Sequence, residues 1–338
     1  MSGTSDSGTG ATVNGSVDNQ GTIAGVSASG TGADLQTTGS LTGGGSLSGS
    51  TQGSGPGIAL NGSLKGNALS GTSAVGTGVQ VNNGATVQNA TIGGHTQSGT
   101  GVSWGNVVNN QNVVVSGSAT SGQGVHLDSG TSLNNVTVSG ETQTGTGVFI
   151  AGDLSGGSIT GKAQGRGDAV NLKGGTVSGS SIIGDSREGS GVLVSGPVTV
   201  SGGTLTGRTG TGTGLNILST LTKANGASVT GLVDGGGSGN PVNGSVTVPP
   251  SGPDGVLNGR MAAQISREQS AQNLLREGIP PLDAVDEPVT DVNISLCADV
   301  EGDSACRLMQ VGTPGVQGVS VTPLVPVSST TTSTSDAR

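Results

Sequence analysis

Side chains that could perform acid–base or nucleophilic chemistry are sparse in this chain of 338 residues. The only two histidines, His95 and His126, occupy different positions of an internal repeat and offer no dyad or metal pair. Asp168 and Glu188 come closest to the two opposed carboxylates that glycoside hydrolysis requires, but their repeat positions also differ. The glycine-rich strings lack the Lys-Ser/Thr of a phosphate-binding loop. The sequence therefore predicts no catalytic residue, no metal site and no cofactor.

The tripeptide Arg166-Gly167-Asp168 is one that integrin-type receptors recognise. A structural explanation competes with this one, because Gly167 and Asp168 also fall within the glycine-rich signature of the repeat. Arg166 stands at the repeat position that Glu188 takes one copy later, where an exposed ion pair contributes only ~0–1 kcal/mol. Arg166, Gly167 and Asp168 are the candidate receptor-binding residues, and the turn of the repeat is the alternative explanation.

Cys297 and Cys306 lie nine residues apart in a segment that resembles a hairpin around residues 301–303. A disulfide between them suits a surface protein in an oxidising environment. Two free thiols are the alternative. A metal site would need further ligands, and the sequence has no histidine or third cysteine nearby.

Hydroxyl side chains recur at alternating positions in three triplets of the repeat. The pattern predicts that they lie along one outward face, where they could order water, which makes an ice-binding rod an alternative function. Cross-strand threonine pairs are also ordinary sheet stabilisers, and charged residues interrupt the series. The triplets are Thr96, Ser98 and Thr100; Thr142, Thr144 and Thr146; and Thr209, Thr211 and Thr213.

The composition excludes several classes of protein. Glycine accounts for 68 residues, whereas Trp and Phe occur once each and Tyr is missing, so an ordinary aromatic-rich core is not expected. No apolar run approaches the ~18 residues that suggest a transmembrane helix. A net charge of −9 and the lack of a basic patch argue against nucleic-acid binding.

The repeat that positions these residues also argues against disorder. The string Gly-x-Gly-Val-x-aliphatic occurs at residues 76–81, 99–104, 122–127 and 145–150, and edited copies lie on both sides. Successive copies are 21 to 23 residues apart, a period that random low-complexity sequence would not keep. The first aliphatic residues of the copies are Ile58, Val79, Val102, Val125, Val148, Val170, Val192 and Leu215.

Further positions repeat in phase with this string and alternate as strands do. We count from the first aliphatic residue of each copy. Two residues on, an apolar column predicted to face inward contains Val81, Trp104, Leu127, Ile150, Leu172, Val194 and Ile217. The intervening residues are predicted to face solvent and include His126 and Phe149. Thirteen residues on, a second inward column contains Ile92, Val115, Val138, Ile183 and Leu205. Ten residues on, a turn column contains Asn89, Asn112, Asn135 and Asn225, with Ser158 and Ser180 in two copies.

Such copies cannot bury their own apolar faces, but stacked copies bury a continuous narrow core. The sequence therefore predicts an all-β fold, a right-handed parallel β-helix of roughly 22-residue coils. We predict a lead-in coil at residues 1–28 and a repeat shaft at 29–248. Residues 249–327 are predicted to be a C-terminal segment with a capping helix at 259–277 and the Cys297–Cys306 hairpin. Residues 328–338 are predicted to be a disordered tail.

The copies of Gly-Thr-Gly-Val-x-Val with Asn-Ala-Thr-Ile or Asn-Val-Thr-Val, over about residues 29–233, resemble the haemagglutinin-type repeats of filamentous haemagglutinin-like exoproteins. These are large bacterial adhesins exported by two-partner secretion, and autotransporter passenger domains share the pattern. The resemblance implies a surface-exposed rod that attaches to a receptor or glycan on a host or bacterial cell. It also implies an outer-membrane transporter during export. Because Met1 leads into Ser-Gly-Thr-Ser without a signal peptide, we expect a piece of a longer exoprotein.

These observations predict a structural and binding module of a secreted or cell-surface bacterial adhesin, not an enzyme. The module would mediate attachment or present a distal domain. A β-helical enzyme that degrades polysaccharides, or a tailspike-like glycan binder, is the first alternative. An ice-binding β-solenoid is the second.

Overall fold

A computed structural model of the chain, which describes residues 1–234, 237–248, 292–300 and 303–311, shows two compact units, Met1–Arg260 and Met261–Arg338. The described part of the first unit is a parallel β-solenoid, and its residues 1–248 are called the solenoid below. One of its sheets contains eleven strands and contributes one strand to each of eleven turns. The predicted parallel β-helix is thus confirmed, and residues 1–28 already pair within the same sheets.

The strands of the solenoid belong to three sheets. Sheet B carries the Gly-x-Gly-Val signature and consists of Ala11–Val13, Ala33–Leu35, Ile58–Leu60, Thr77–Val81, Thr100–Trp104, Gln123–Leu127, Thr146–Ile150, Asp168–Leu172, Ser190–Val194, Thr213–Ile217 and Asn240–Asn243. Sheet C consists of Ser16–Asp18, Ser40–Thr42, Ser63–Lys65, Thr86–Gln88 and Asn109–Gln111. Sheet A consists of Ser2–Ser5, Thr22–Ser27, Ser46–Thr51, Ala68–Ser73, Thr91–Thr96, Val113–Ala119, Thr131–Thr142, Leu154–Ala163, Gly175–Ser178, Ser181–Ser186, Val198–Ser201, Thr204–Thr209, Leu221–Ala224, Ser228–Val233 and Val246–Thr247.

The core is a set of apolar columns that run through the solenoid. Val79, Val102 and Val125 are register partners on neighbouring strands of sheet B, and all three are fully buried. The second predicted column, which contains Val81 and Trp104, is buried beside it. The indole Nε1 of Trp104 is the one buried side-chain nitrogen or oxygen without a hydrogen-bond partner in the described residues.

One predicted column is shifted by a residue. Ile182, not Ile183, pairs with Ile159 and Leu205 and is buried. Ile183 is 37% exposed. The connection from Val170 to sheet A is one residue shorter in this turn than in the turns before Val138, and a shift of one residue along a strand moves each side chain to the opposite face.

The solenoid needs glycine because its backbones approach closely. A Cβ atom at Gly94 in sheet A would lie 1.9 Å from the carbonyl oxygen of Gly101 in sheet B. A Cβ atom at Gly99 would lie 1.9 Å from the carbonyl oxygen of Gly76 in the preceding turn. A Cβ atom at Gly101, the second glycine of the same signature copy, would lie 2.5 Å from the carbonyl oxygen of Gly124. No side chain fits at these places, which explains both glycines of the Gly-x-Gly signature and the sheet A glycine that packs against it.

An asparagine column marks one corner of the solenoid, as predicted. Asn89, Asn112, Asn135 and Asn225 have positive φ angles between 49° and 53°. The Nδ2 atom of Asn112 donates to Oδ1 of Asn89 at 3.0 Å, and Asn135 donates to Asn112 in the same way. The assignment of Ser158 and Ser180 to this column was wrong. Hydrogen bonding and positive φ angles place Gly156 and Gly179 there. The prediction missed these glycines because turn lengths vary between copies.

The second unit contributes two antiparallel strands, Val292–Val300 and Asp303–Val311, in which Cys297 lies opposite Cys306. The predicted helix at 259–277 and the predicted tail at 328–338 lie outside the described residues. The part of the chain that the structure describes contains no helix long and apolar enough to cross a membrane.

Candidate functional site

Charged side chains are concentrated in the central turns of the solenoid. Of the 17 charged residues within positions 1–250, 11 fall between Asp128 and Arg208. The only phenylalanine, Phe149, belongs to the same turns, and His126 lies just before them. The other turns present mainly serine, threonine, asparagine and glycine. The central turns are therefore where the surface of the solenoid is chemically distinct.

An aromatic patch, defined as Gln123, His126, Asp128 and Phe149, lies on the outward face of sheet B. His126 and Phe149 are cross-strand partners, and their rings stack with centroids 4.9 Å apart and an interplanar angle of 27°. Oε1 of Gln123 lies 2.8 Å from Nδ1 of His126, and Oδ1 of Asp128 lies 3.2 Å from Nε2. The imidazole is therefore fixed at both nitrogens and on one ring face.

His126 lies on the outward face of sheet B, as predicted, but neighbouring side chains cover most of it and only 25% of its side chain is exposed. Gly124 and Val125 are both buried, and this pair of consecutive inward residues places Gln123 on the same outward side as His126. Phe149 covers the ring from the next strand. His126 and Phe149 occupy the same position in consecutive copies of the repeat, so the sequence alone could have predicted that they are neighbours.

The outward column continues beyond Phe149 with Asn171 and then Leu193 on the next two strands. All three residues are half-buried. Oδ1 of Asn171 accepts a hydrogen bond from the hydroxyl of Ser195 at 2.7 Å, which fixes the amide. The outward column of sheet B therefore carries two apolar side chains, Phe149 and Leu193, with an amide between them.

The predicted receptor tripeptide lies at the corner between sheet A and sheet B. Gly167 is required by proximity, because a Cβ atom there would lie 1.9 Å from the carbonyl oxygen of Gly145. The side chain of Arg166 is 92% exposed, and its Nε lies 3.4 Å from Oε2 of Glu188. Oδ1 of Asp168 accepts the backbone N–H of Ser190 at 3.2 Å. The repeat thus accounts for each of the three residues, and receptor binding stays a prediction.

An open groove of about 670 Å³ follows the sheet A side of the same corner. Its polar lining includes His95, Glu141, Gln164 and Arg187. His95 Nδ1 lies 2.9 Å from the hydroxyl of Ser118, and the amide of Gln164 donates to Glu141 at 2.6 Å. Sequence reasoning missed this groove, because the groove depends on the shape of the corner and not on a repeated residue type.

The threonine triplets do not form one outward face, which corrects the arrangement that the ice-binding alternative required. Thr96, Thr142 and Thr209 are fully buried. The hydroxyl of Thr96 donates to the carbonyl of Gly76 at 3.0 Å and accepts the N–H of Gly99 at 3.1 Å. The other two hydroxyls make the equivalent pair of bonds. These side chains therefore close the corner from inside.

The structure does not join the remaining candidates into a reactive site. Asp168 begins a strand of sheet B, whereas Glu188 lies in the corner turn and pairs with Arg166. His95 lies on sheet A, and His126 lies on sheet B. Within the described residues, no three His, Cys, Asp or Glu side chains are grouped so that they could hold a metal ion. Cys297 and Cys306 lie opposite each other on two paired antiparallel strands.

Comparison of the chain with models of protein families, with curated proteins and with solved structures gives no significant match.

Proposed function

We propose that this chain is a structural and binding module of a secreted or cell-surface bacterial adhesin. The observation that carries the proposal is the solenoid itself, whose turns differ little except in the central surface. A regular stack of strands extends along its axis, and such repeat proteins use their extended surfaces for binding. The aromatic patch and the groove give this one a place for contacts.

The resemblance of residues 29–233 to haemagglutinin-type repeats supports the same proposal. On this proposal the partner is a receptor or glycan on a host or bacterial cell, and an outer-membrane transporter exports the chain. Arg166, Gly167 and Asp168 remain a receptor-binding candidate, because the exposed Arg166 guanidinium can be approached from solvent.

Binding of the labelled full-length chain to cultured epithelial cells and to bacterial cells tests the proposal. We expect saturable binding that unlabelled chain competes away and that heat-denatured chain does not show. If no cell type binds the folded chain in a saturable manner, the adhesin assignment is wrong.

A glycan-cleaving enzyme is the second candidate, and one observation favours it. Glu141 and Glu188 both line the groove, so two carboxylates share one surface. Both are exposed, however, whereas the general acid of a glycosidase is kept protonated by an apolar environment. We expect no release of reducing ends from neutral or acidic polysaccharides. Cleavage that is lost in Glu141→Gln would establish the enzyme instead.

A further inference from the structure

We propose that the outward face of sheet A binds the same face of a second copy of this chain, so that two solenoids pair face to face and run in opposite directions. This surface, called the sheet A face below, consists of the outward residues of six neighbouring strands: Val113–Ala119, Thr131–Thr142, Leu154–Ala163, Ser181–Ser186, Thr204–Thr209 and Ser228–Val233. The inference concerns self-association and does not depend on the proposed attachment to cells.

Four charged side chains of alternating sign follow one another along the sheet A face. They belong to register partners on four consecutive strands, and all four are exposed. This charged row consists of Glu141, Lys162, Asp185 and Arg208. Although neighbouring strands are only ~4.8 Å apart, no ion pair joins the row, since both ion pairs among the described residues lie elsewhere. The charges of the row are therefore open to a partner outside the chain.

The order of the charges makes the row complementary to itself when it is reversed. A two-fold axis in the contact plane, parallel to the strands and midway between those of Lys162 and Asp185, turns the row end for end. It places Lys162 opposite the partner's Asp185 and Glu141 opposite the partner's Arg208. The symmetry repeats both pairs, as a closed two-fold interface requires. Every charge of the row thus faces a charge of opposite sign.

Other arrangements of the two faces lose this match. If the copies run in the same direction and the faces overlap fully, each charge of the row lies opposite a serine or threonine. If only the rows meet in that direction, each charge lies opposite its own copy. An antiparallel pair displaced by one strand places Lys162 opposite the partner's Lys162. Because like charges across an interface disfavour a wrong arrangement, the row selects both the direction and the register of the pair.

The remainder of the sheet A face suits close contact between two sheets. Its other outward side chains are mostly serine and threonine, which are short. An apolar residue, Ile183, lies next to the two-fold axis and is 37% exposed. In the antiparallel pair each Ile183 lies opposite the partner's Thr160, and the two isoleucines are one strand spacing apart. An aliphatic side chain that a single copy leaves in water thereby gains an apolar contact.

The groove at the edge of the sheet A face provides space for a long side chain of the partner. Its lining contains two carboxylates, Glu141 and Glu188, against one guanidinium, Arg187. Oε1 of Glu141 accepts from Gln164, which leaves Oε2 as an acceptor. The partner's Arg208 lies opposite Glu141 in the antiparallel pair, and an arginine forms strong hydrogen bonds with a carboxylate. The groove therefore accommodates the end of the charged row.

The sheet A face is large enough for a specific, reversible contact. Six strands at ~4.8 Å span about 29 Å, and the outward residues of one strand span about 20 Å. Two such faces together cover roughly 1,200 Å², which is at the lower limit of stable interfaces. We therefore expect a dimer that dissociates on dilution and that weakens as salt screens its charges.

Sedimentation velocity of the full-length chain tests the inference, under reducing conditions so that no disulfide joins two copies. We expect a concentration-dependent dimer at low salt that dissociates at high salt. Lys162→Glu and Asp185→Lys should each raise the dissociation constant at least about tenfold, because each introduces two like-charge contacts. An equimolar mixture of the two variants should associate about as tightly as the natural chain. In the mixed pair the two reversed charges face each other and are again of opposite sign.

Lys173→Glu makes the same change of charge at an exposed position just beyond a sheet B strand, and as the matched control it should not alter association. Circular dichroism verifies the fold of each variant. The mixture distinguishes pairing between copies from a charge ladder within one copy, because mixing cannot repair charges inside a single chain. The inference is wrong if the natural chain stays monomeric up to about 0.1 mM at low salt, if both single variants still dimerise, or if their mixture stays monomeric.

Discussion

At the scale of single residues, backbone proximity explains why the repeat cannot replace its inward glycines. Gly94 and Gly117 lie outside the positive-φ region, so conformation alone would allow alanine. Their carbonyl neighbours, at 1.9 Å and 2.0 Å from an added Cβ, would not. Sheets A and B pack backbone against backbone here, and the aliphatic columns fill the space further along each strand.

Adjacent glycines make this explanation testable. Gly94→Ala should lower the free energy of unfolding by about 1–3 kcal/mol or more, because its methyl group forces the two sheets apart. Gly93 faces outward, and the nearest atom to its added Cβ is the carbonyl oxygen of Leu69 at 3.7 Å. Gly93→Ala should therefore change stability by less than ~1 kcal/mol. Urea unfolding followed by circular dichroism measures both, and equal losses would contradict the packing argument.

The buried hydroxyls provide a second residue-scale prediction. Thr96→Val keeps the shape of the side chain but leaves the N–H of Gly99 without the acceptor seen at 3.1 Å. We expect a loss of about 1–3 kcal/mol in the free energy of unfolding. Ala119 occupies the equivalent position one turn later without a hydroxyl. Ala119→Ser should therefore stabilise the chain by about 1 kcal/mol, and a destabilised Ala119→Ser variant would show that the corner does not use the bond.

At the scale of elements, the corner columns determine where strands end. At the asparagine corner each turn needs one residue in the left-handed conformation, and the chain meets this need with asparagine in some turns and glycine in others. Asparagine adds a side-chain ladder from turn to turn. The two residue types are therefore interchangeable for conformation but not for hydrogen bonding.

Asn112 separates these two contributions. Asn112→Gly keeps the backbone conformation and loses only the two side-chain hydrogen bonds. Asn112→Ala loses the same hydrogen bonds. In addition, its alanine must keep the φ of 53°, which costs a residue with a Cβ atom roughly 1–2 kcal/mol. We expect thermal unfolding to occur at the lowest temperature for Asn112→Ala and at an intermediate one for Asn112→Gly. The exposed neighbour Gln111→Ala should match the natural chain. Alanine that is tolerated as well as glycine would refute the conformational argument.

The hairpin of the second unit makes the cysteine prediction measurable. Cys297 and Cys306 are direct cross-strand partners, and Cα atoms of such pairs lie roughly 4.5–5.5 Å apart, within the disulfide range. In chain prepared in an oxidising compartment, we expect no alkylation of denatured protein before reduction and two alkylated thiols after it. Cys306→Ser should show one reactive thiol in both conditions. Two reactive thiols before reduction would mean that the bond does not form.

The sequence predicts sheet B more accurately than the elements that follow it. Both apolar columns of sheet B are in their predicted places, because the signature itself sets the phase there. The prediction placed Ile183 in the core because it assumed a constant number of residues between the signature and sheet A, and this number differs from turn to turn. Thr96 was taken as outward because polar residues usually are, and nothing in the sequence shows that a corner carbonyl and N–H would satisfy its hydroxyl from inside. The contact of His126 with Phe149 needed only a comparison of neighbouring copies.

Across the whole solenoid, strand pairing joins each turn to the turn before and the turn after it. Stability in such an array is approximately the sum of repeat terms and nearest-neighbour terms. The distinctive side chains lie in turns that have partners on both sides, so the aromatic patch rests on the part of the solenoid that local opening from the ends reaches last. A surface that must hold His126 and Phe149 in fixed positions benefits from this placement.

Hydrogen exchange tests whether the turns behave as a one-dimensional array. In Gly94→Ala, the clash lies between strand Thr91–Thr96 and strand Thr100–Trp104 of the same turn. The strands paired with Thr91–Thr96 are Ala68–Ser73 and Val113–Ala119. Because energetic effects pass through neighbouring turns only, exchange measured by mass spectrometry should accelerate in these four strands. Strand Thr204–Thr209, several turns away, should exchange as it does in the natural chain, and Gly93→Ala should leave all five strands unchanged. Uniform acceleration throughout the solenoid would instead mean that it opens as a single cooperative unit, and the stability of the aromatic patch would then depend on every turn equally.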